Sequence, residues 1–162
     1  MAISVGDKLP DAKLLRLGDS GPESLNVSDL VNGRKVVIFA VPGAFTPTCH
    51  SAHVPSFIRV KDKLAEKGVD EIICVSVNDP FIMKVWGEQT GATEAGITML
   101  SDGNAELTKA IGMAFSAAPV GFVDRSARYA MLVEDGTVTR LHKEEAAGTC
   151  EISGGEAMLA AL

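Results

Sequence analysis

The 162-residue chain carries 15 lysines and arginines against 21 aspartates and glutamates, a formal net charge of −6. That balance argues against nucleic acid or an anionic membrane surface as the main partner, because both select for basic surfaces. No apolar run approaches the roughly 20 residues that cross a bilayer, and residues 1–7 show no basic stretch followed by an apolar one, so the expectation is a cytoplasmic protein forming a single domain over residues 1–162.

In chain order, residues 1–34 form an entry segment punctuated by Gly6, Pro10, Gly18, Gly21 and Pro22. Within it, residues 12–17 suit a short strand and residues 27–30 a helical turn. Residues 35–41, Lys-Val-Val-Ile-Phe-Ala-Val, are apolar at nearly every position, as in a strand buried on both faces. Residues 50–67 repeat apolar side chains at helical spacing, and Gly68 is a stop signal. Residues 71–77 are a second β-branched strand, so strand, helix and strand make a βαβ unit. Asn78-Asp79-Pro80 suits the start of a helix reaching about Thr90. A short strand follows over 96–101, then a short helix over 104–111 with Ser101 or Asp102 near its start. Residues 112–123 give no clear signal. Asp135-Gly136 between two strand-like runs is a strong hairpin signature, and residues 154–162 read as a closing helix. The order β–β–α–β–α–β–α–β–β–α implies an α/β sandwich around a mixed sheet.

The chemistry concentrates at residues 42–49, Pro-Gly-Ala-Phe-Thr-Pro-Thr-Cys, between the 35–41 strand and the helix behind it. A helix start exposes unpaired N–H groups and the positive end of the helix dipole. A thiol there, Cys49, ionises more readily and becomes a nucleophile. The other two cysteines, Cys74 and Cys150, lie far off in sequence, and no Cys-x-x-Cys occurs. A zinc ribbon or a thioredoxin-type dithiol is therefore not written locally. Cys49 and His53 share a helix face, but no third and fourth metal ligand is placed beside them. A cysteine hydrolase using His50 or His53 as base is disfavoured, because a histidine one turn away on the same helix is badly placed. His53 reads as a local structural contact. Thr48 is the better helix cap, leaving Thr46 for the pocket. Phe45, Phe81 and Trp86 suit the core.

Pro42-x-x-x-Thr46-x-x-Cys49 resembles the signature of the peroxiredoxins. The longer string through His53-Val54-Pro55, the run from Cys74 to Phe81 with Trp86, and the run from Arg128 to Gly136 resemble the peroxiredoxin 5 (type II, atypical) subfamily. The resemblance spans about residue 5 to the end. It implies a thioredoxin-like fold, a mixed central sheet flanked by helices on both faces with an N-terminal extension. It also implies antioxidant reduction of hydrogen peroxide and alkyl hydroperoxides without metal or prosthetic group. Cys49 would be the peroxidatic nucleophile and pass through a sulfenic acid. Thr46 and Pro42 would line its pocket, and Arg128, with Arg125 as second choice, would favour the thiolate and polarise the substrate. Cys150 resembles an internal resolving cysteine, although the sequence around it departs from that pattern. Cys74 matches the second cysteine of plant-type members and should be buried. Thioredoxin, or glutathione with glutaredoxin, is the implied reductant. A homodimer through Phe45 and Phe81 is implied too. A redox sensor without useful turnover would present the same site.

Overall fold

The computed structural model describes residues 2–162. Seven strands form one sheet. They are β1 (Lys13–Gly18), β2 (Gly21–Asn26), β3 (Lys35–Val41), β4 (Glu71–Ser76), β5 (Thr98–Ser101), β8 (Tyr129–Glu134) and β9 (Thr137–Lys143), in the spatial order β2-β1-β5-β4-β3-β8-β9. β6 (Ala114–Ala117) and β7 (Phe122–Ser126) pair as a separate two-stranded ribbon. The central strands β3, β4 and β5 run parallel, while β8, β9, β1 and β2 add antiparallel pairs. The sheet is mixed, as expected.

β3 lies at the centre because both its faces are apolar. Val37, Phe39 and Val41 enter one core, and Val36, Ile38 and Ala40 enter the other. The first core is closed by α2 (Val54–Glu66), α3 (Pro80–Thr90) and α5 (Gly155–Ala160), which contribute Phe57, Leu64, Trp86 and Met158. The second is closed by α1 (Val27–Val31) and α4 (Glu106–Ala110), which contribute Val27, Val31 and Leu107. Helices therefore flank the sheet on both faces. Phe39 and Phe57 stack with centroids 4.2 Å apart, fixing α2 over β3.

Local signals explain most boundaries. The Asp79 carboxylate accepts from Ile82 N at 2.9 Å and Pro80 opens α3, so the proline's missing N–H costs nothing. Gly91, at φ 82°, ends that helix in the left-handed conformation. Asp102 receives the N–H groups of Leu107 and Thr108 and so organises α4. Three features differ from expectation. β2 is a strand although it reads Gly-Pro-Glu-Ser-Leu-Asn; most of its side chains face solvent, Leu25 packs against the second core, and its ladder to β1 holds it. The unassigned stretch 112–123 supplies β6, a 3₁₀ turn and the start of β7. The helix expected over 50–67 opens with a π turn at Cys49–His53 before α2. Pro55 is the cause: it has no N–H to return to residue 51. The wider turn instead carries the Val54 N–H to the Cys49 carbonyl.

α5 docks on α2 at Gly155, whose N–H donates to Ser56 Oγ at 2.8 Å. A methyl group there would meet the Ser56 backbone, with its carbonyl carbon 2.7 Å away, and Val60 Cγ2 at 2.8 Å. Gly155→Ala is expected to lower stability by about 1–3 kcal/mol through overpacking, read as a lower urea midpoint at unchanged slope.

Candidate active site

β3 delivers the chain to Pro42, and residues 42–48 form a loop fastened at several points. Ala44 N donates to Asn78 Oδ1 at 3.0 Å, and His50 N donates to Thr46 O at 2.9 Å. Trp86 Nε1 donates to His50 Nδ1 at 3.0 Å. Phe45 takes a left-handed backbone, φ 66°, which turns the loop back over α3. The helical backbone begins at residue 47, so Cys49 falls in the first turn, where the sequence puts it.

Cys49 is fully buried. The residue that meets its sulfur comes from 79 positions downstream: Arg128 Nη2 donates to Cys49 Sγ at 3.0 Å. Arg128, 2% exposed, directly precedes β8. Its Nε and Nη2 donate to Ala147 O at 3.1 and 3.0 Å, and its Nη1 donates to His53 Nδ1 at 3.0 Å. Arg125 is elsewhere. Its Nη1 donates to Pro42 O at 3.1 Å, and its guanidinium lies 4.8 Å over the Phe122 ring. Of the two arginines considered, Arg128 is the one on the sulfur.

Thr46 Oγ1 donates to Gly43 O at 2.6 Å. Its single proton is thereby committed, and its lone pairs remain to accept a hydrogen bond. Pro42, Thr46 and Arg128 line one cavity of about 460 Å³ with Pro47, Val120, Phe122 and Gly148, so its wall is mostly apolar apart from the guanidinium and the hydroxyls. Pro42, Thr46 and Arg128 thus share one cavity, and Arg128 links it to the buried Cys49 sulfur. Thr48 is not a cap. Its backbone is already helical, and its hydroxyl donates to Gly148 O at 2.8 Å.

His53 does more than a local contact. Its ring is fully buried beside Phe39, with centroids 4.9 Å apart. Burial, reinforced by the Arg128 charge, pushes its pKa down to about 3. With Nδ1 accepting from Arg128, Nε2 carries the proton and donates to Ser153 O at 2.9 Å. Neither nitrogen of His53 reaches the sulfur as a base, and His50 is engaged by Trp86, so a hydrolytic Cys–His pair is not assembled. Sequence reasoning also missed Glu144, Ala147 and Ser153, which hold Arg128 and His53 from the far side. The sequence carried no signal for them: Ser153 meets His53 across 100 residues, and Ala147 meets Arg128 across 19 through a backbone carbonyl that any residue offers. Among the described residues, no group of three or more histidines, cysteines or acids is placed to hold a metal ion.

The remaining cysteines are free. Cys74 is in the middle of β4, paired with Phe39 and Met99, and burial raises its thiol well above the ordinary value. Cys150 is half-buried in the segment before α5, and burial raises its thiol too. Phe45 and Phe81 are 44% and 57% exposed, contrary to a core reading, whereas Trp86 is fully buried.

Residues 4–159 match the redoxin family. The chain belongs to the peroxiredoxins. It is 51% identical to peroxiredoxin-2E-2, chloroplastic, of Oryza sativa subsp. japonica, over 99% of this chain and 72% of that protein. It is 46% identical to peroxiredoxin-2E, chloroplastic, of Arabidopsis thaliana, over 99% and 70%. Among solved structures, reduced Prx3 of Vibrio vulnificus in complex with hydrogen peroxide superposes with a TM-score of 0.92 at 48% identity, over 98% of each chain. Peroxiredoxin 5 of Alvinella pompejana superposes at 0.85 and 34% identity, over 98% of this chain and 96% of that one. These relatives agree with the subfamily resemblance and with a thioredoxin-like fold. This peroxiredoxin is accordingly an oxidoreductase that reduces peroxide at a thiol, with an antioxidant role, no prosthetic group and an external thiol reductant. The cytoplasmic expectation is corrected: peroxiredoxin-2E-2 of rice and peroxiredoxin-2E of Arabidopsis, matched over 99% of this chain, are named as chloroplastic proteins. Among the described residues, no helix is long and apolar enough to cross a membrane.

The neutral His53 has a consequence for stability. An unfolded histidine takes up a proton near its ordinary 6.5, while the folded one resists until about 3. Below about pH 6.5 the unfolded state therefore binds more protons, and stability falls as pH falls toward 3. Urea unfolding at pH 7, 5.5 and 4 should show this loss, and His53→Asn should show a shallower one.

Proposed function

We propose that Cys49 is the thiol that attacks peroxide, with Arg128, Thr46 and Pro42 as its partners. The observation that carries this reading is the 3.0 Å contact of the Arg128 guanidinium with the Cys49 sulfur. The thiolate lone pair attacks one peroxide oxygen and forms an S–O bond as the O–O bond breaks. Sulfur gives up two electrons, and the departing hydroxide or alkoxide takes a proton to leave as water or alcohol. Cys49 is left as sulfenic acid. The Arg128 charge stabilises the anion in the ground state and the charge passing to the departing oxygen. Thr46, with its own proton on Gly43 O, accepts a hydrogen bond from the peroxide and orients it. Pro42 presents no N–H and walls the sulfur from water. The mostly apolar cavity accommodates the alkyl group of an organic hydroperoxide.

For the return step we propose an external thiol, either glutathione with glutaredoxin or thioredoxin. What supports it is the placement of the two other cysteines. Cys74 is locked between β3 and β5, and a disulfide to Cys49 would require the sheet to open. Cys150 is tied into a closed segment. We further propose a homodimer through the apolar face formed by Phe45, Phe81, Ile82 and Val85, all exposed beside the active-site loop.

One equivalent of hydrogen peroxide, followed by cysteine mapping under non-reducing conditions, tests the assignment. Cys49 is expected to be consumed and trappable as sulfenic acid, with Cys74 and Cys150 still free. A Cys49 that stays reduced while peroxide persists overturns it, and a Cys49–Cys150 link replaces the external thiol by an internal one. Cys49→Ser should abolish turnover, and Arg128→Lys should slow peroxide reduction roughly 100-fold, because a point charge does not reproduce the planar fork. Phe81→Glu should shift the sedimentation coefficient to that of a monomer; an unchanged wild-type-like dimer would place the interface elsewhere.

A further inference from the structure

The segment between β9 and α5, residues 144–154, is closed by one carboxylate. Glu144 Oε2 accepts from the N–H groups of Glu151, Ile152 and Ser153 at 2.9, 2.9 and 2.7 Å, and from Ser153 Oγ at 2.7 Å. Three successive N–H groups converging on one point form an anion nest, and here the chain supplies the anion itself. Glu144 is 6% exposed. Burial alone would raise its carboxyl, but the Ser153 hydroxyl and the three N–H groups bring it below the ordinary value.

This strap touches the active site at three carbonyls. Ala147 O receives Nε and Nη2 of Arg128, Ser153 O receives His53 Nε2, and Gly148 O receives the Thr48 hydroxyl. Ser153 joins the two systems: its N–H and hydroxyl bind Glu144, and its carbonyl holds His53. Glu144 N also donates to Arg128 O at 3.0 Å, so the carboxylate is anchored to the backbone of the residue it helps to hold.

We infer that Glu144 is a positioning residue for the peroxide step: its carboxylate closes the strap, and the strap holds Arg128 on the Cys49 sulfur, directly through Ala147 and indirectly through Ser153 and His53. The inference rests on the assignment of Cys49 as the attacking thiol. Glu144 touches neither the sulfur nor the cavity wall, and acts only through the strap. The same closure keeps Cys150 half-buried. Removing the charge therefore has two separately readable consequences, a slower Cys49 and a more accessible Cys150. A glutamine substitutes poorly, because its carbonyl oxygen can occupy the Oε2 position but brings no charge to strengthen the four hydrogen bonds made there.

The test uses the full-length chain with Glu144→Gln, Glu144→Asp and Ser153→Ala. Two rates are followed by peptide mass spectrometry: oxidation of Cys49 by hydrogen peroxide in a single turnover, and alkylation of Cys150 by N-ethylmaleimide in the reduced protein. Glu144→Gln is expected to slow the first and speed the second, each roughly tenfold, the scale set by losing charge-assisted hydrogen bonds. Glu144→Asp keeps the charge on a shorter arm and should recover part of both, a rescue that lost packing alone would not give. Should Glu144→Gln fail to fold, Ser153→Ala removes one of the four donors on the carboxylate and should slow Cys49 oxidation by about two- to fivefold; because the Ser153 hydroxyl also reaches the Cys150 thiol, only the Cys49 rate is read for this variant. Folded variants that leave both rates within about twofold of the parent overturn the inference. So does faster Cys150 alkylation with an unchanged Cys49 rate, because the strap then opens without moving Arg128. If Cys49 of the parent protein is not oxidised at all, the active-site assignment has failed, while Cys150 alkylation still reports on the strap.

Discussion

A guanidinium with almost no access to water organises this molecule. Burying a charge is costly unless it is paired and hydrogen-bonded. Among the described residues, none of Arg128's hydrogen-bond partners is a carboxylate; they are the Ala147 carbonyl, a neutral imidazole and the Cys49 sulfur. Of these, only the sulfur can carry a full negative charge. On the proposed assignment of Cys49 as the attacking thiol, the buried cation is held against the atom at which the reaction takes place. The neutrality of His53 belongs to the same arrangement, because a second cation beside Arg128 would spoil it.

The sheet makes the meeting possible. β3 ends just before the active-site loop, and β8 runs antiparallel beside it, with Ala40 opposite Tyr129. Arg128 is one step beyond that pair. Along β8, Tyr129, Met131 and Val133 enter one core, and Ala130 and Leu132 enter the other, the core that also holds Cys49. By alternation Arg128 falls on the face of Ala130. A shift of one residue in the β3–β8 register would send the guanidinium to the wrong side of the sheet.

Much of this was legible in the sequence. The apolar run 35–41 announced a strand buried on both faces, Asp79-Pro80 a helix start, and Asp135-Gly136 a hairpin. Cys49 at a helix start, and the resemblance of Pro42, Thr46 and Cys49 to a family signature, pointed to a candidate site. These signals are local, set by backbone conformation and by burial of neighbouring residues. What stayed hidden was held by distant partners. β2 exists because β1 offers a ladder, with Leu25 its one side chain packed on the core. The π turn follows from a proline that, read alone, only decorates a helix. His53 looked like a bystander because its partners, Arg128 and Ser153, are 75 and 100 residues away. Glu144 gave no sign, since a glutamate in an acidic chain is ordinarily solvated.

The separation of Cys49 from Arg128 also has a meaning in time. A ribosome releases Cys49 well before Arg128, and the strap and α5 emerge last of all. Until residues 128–155 have been made and docked, Cys49 lacks the guanidinium that meets its sulfur and the strap that holds it. The strand pairing that brings them together is non-local, and such contacts form late in folding. The contact on which the proposed role of Cys49 rests is therefore assembled by the last third of the chain and exists only once the fold is complete.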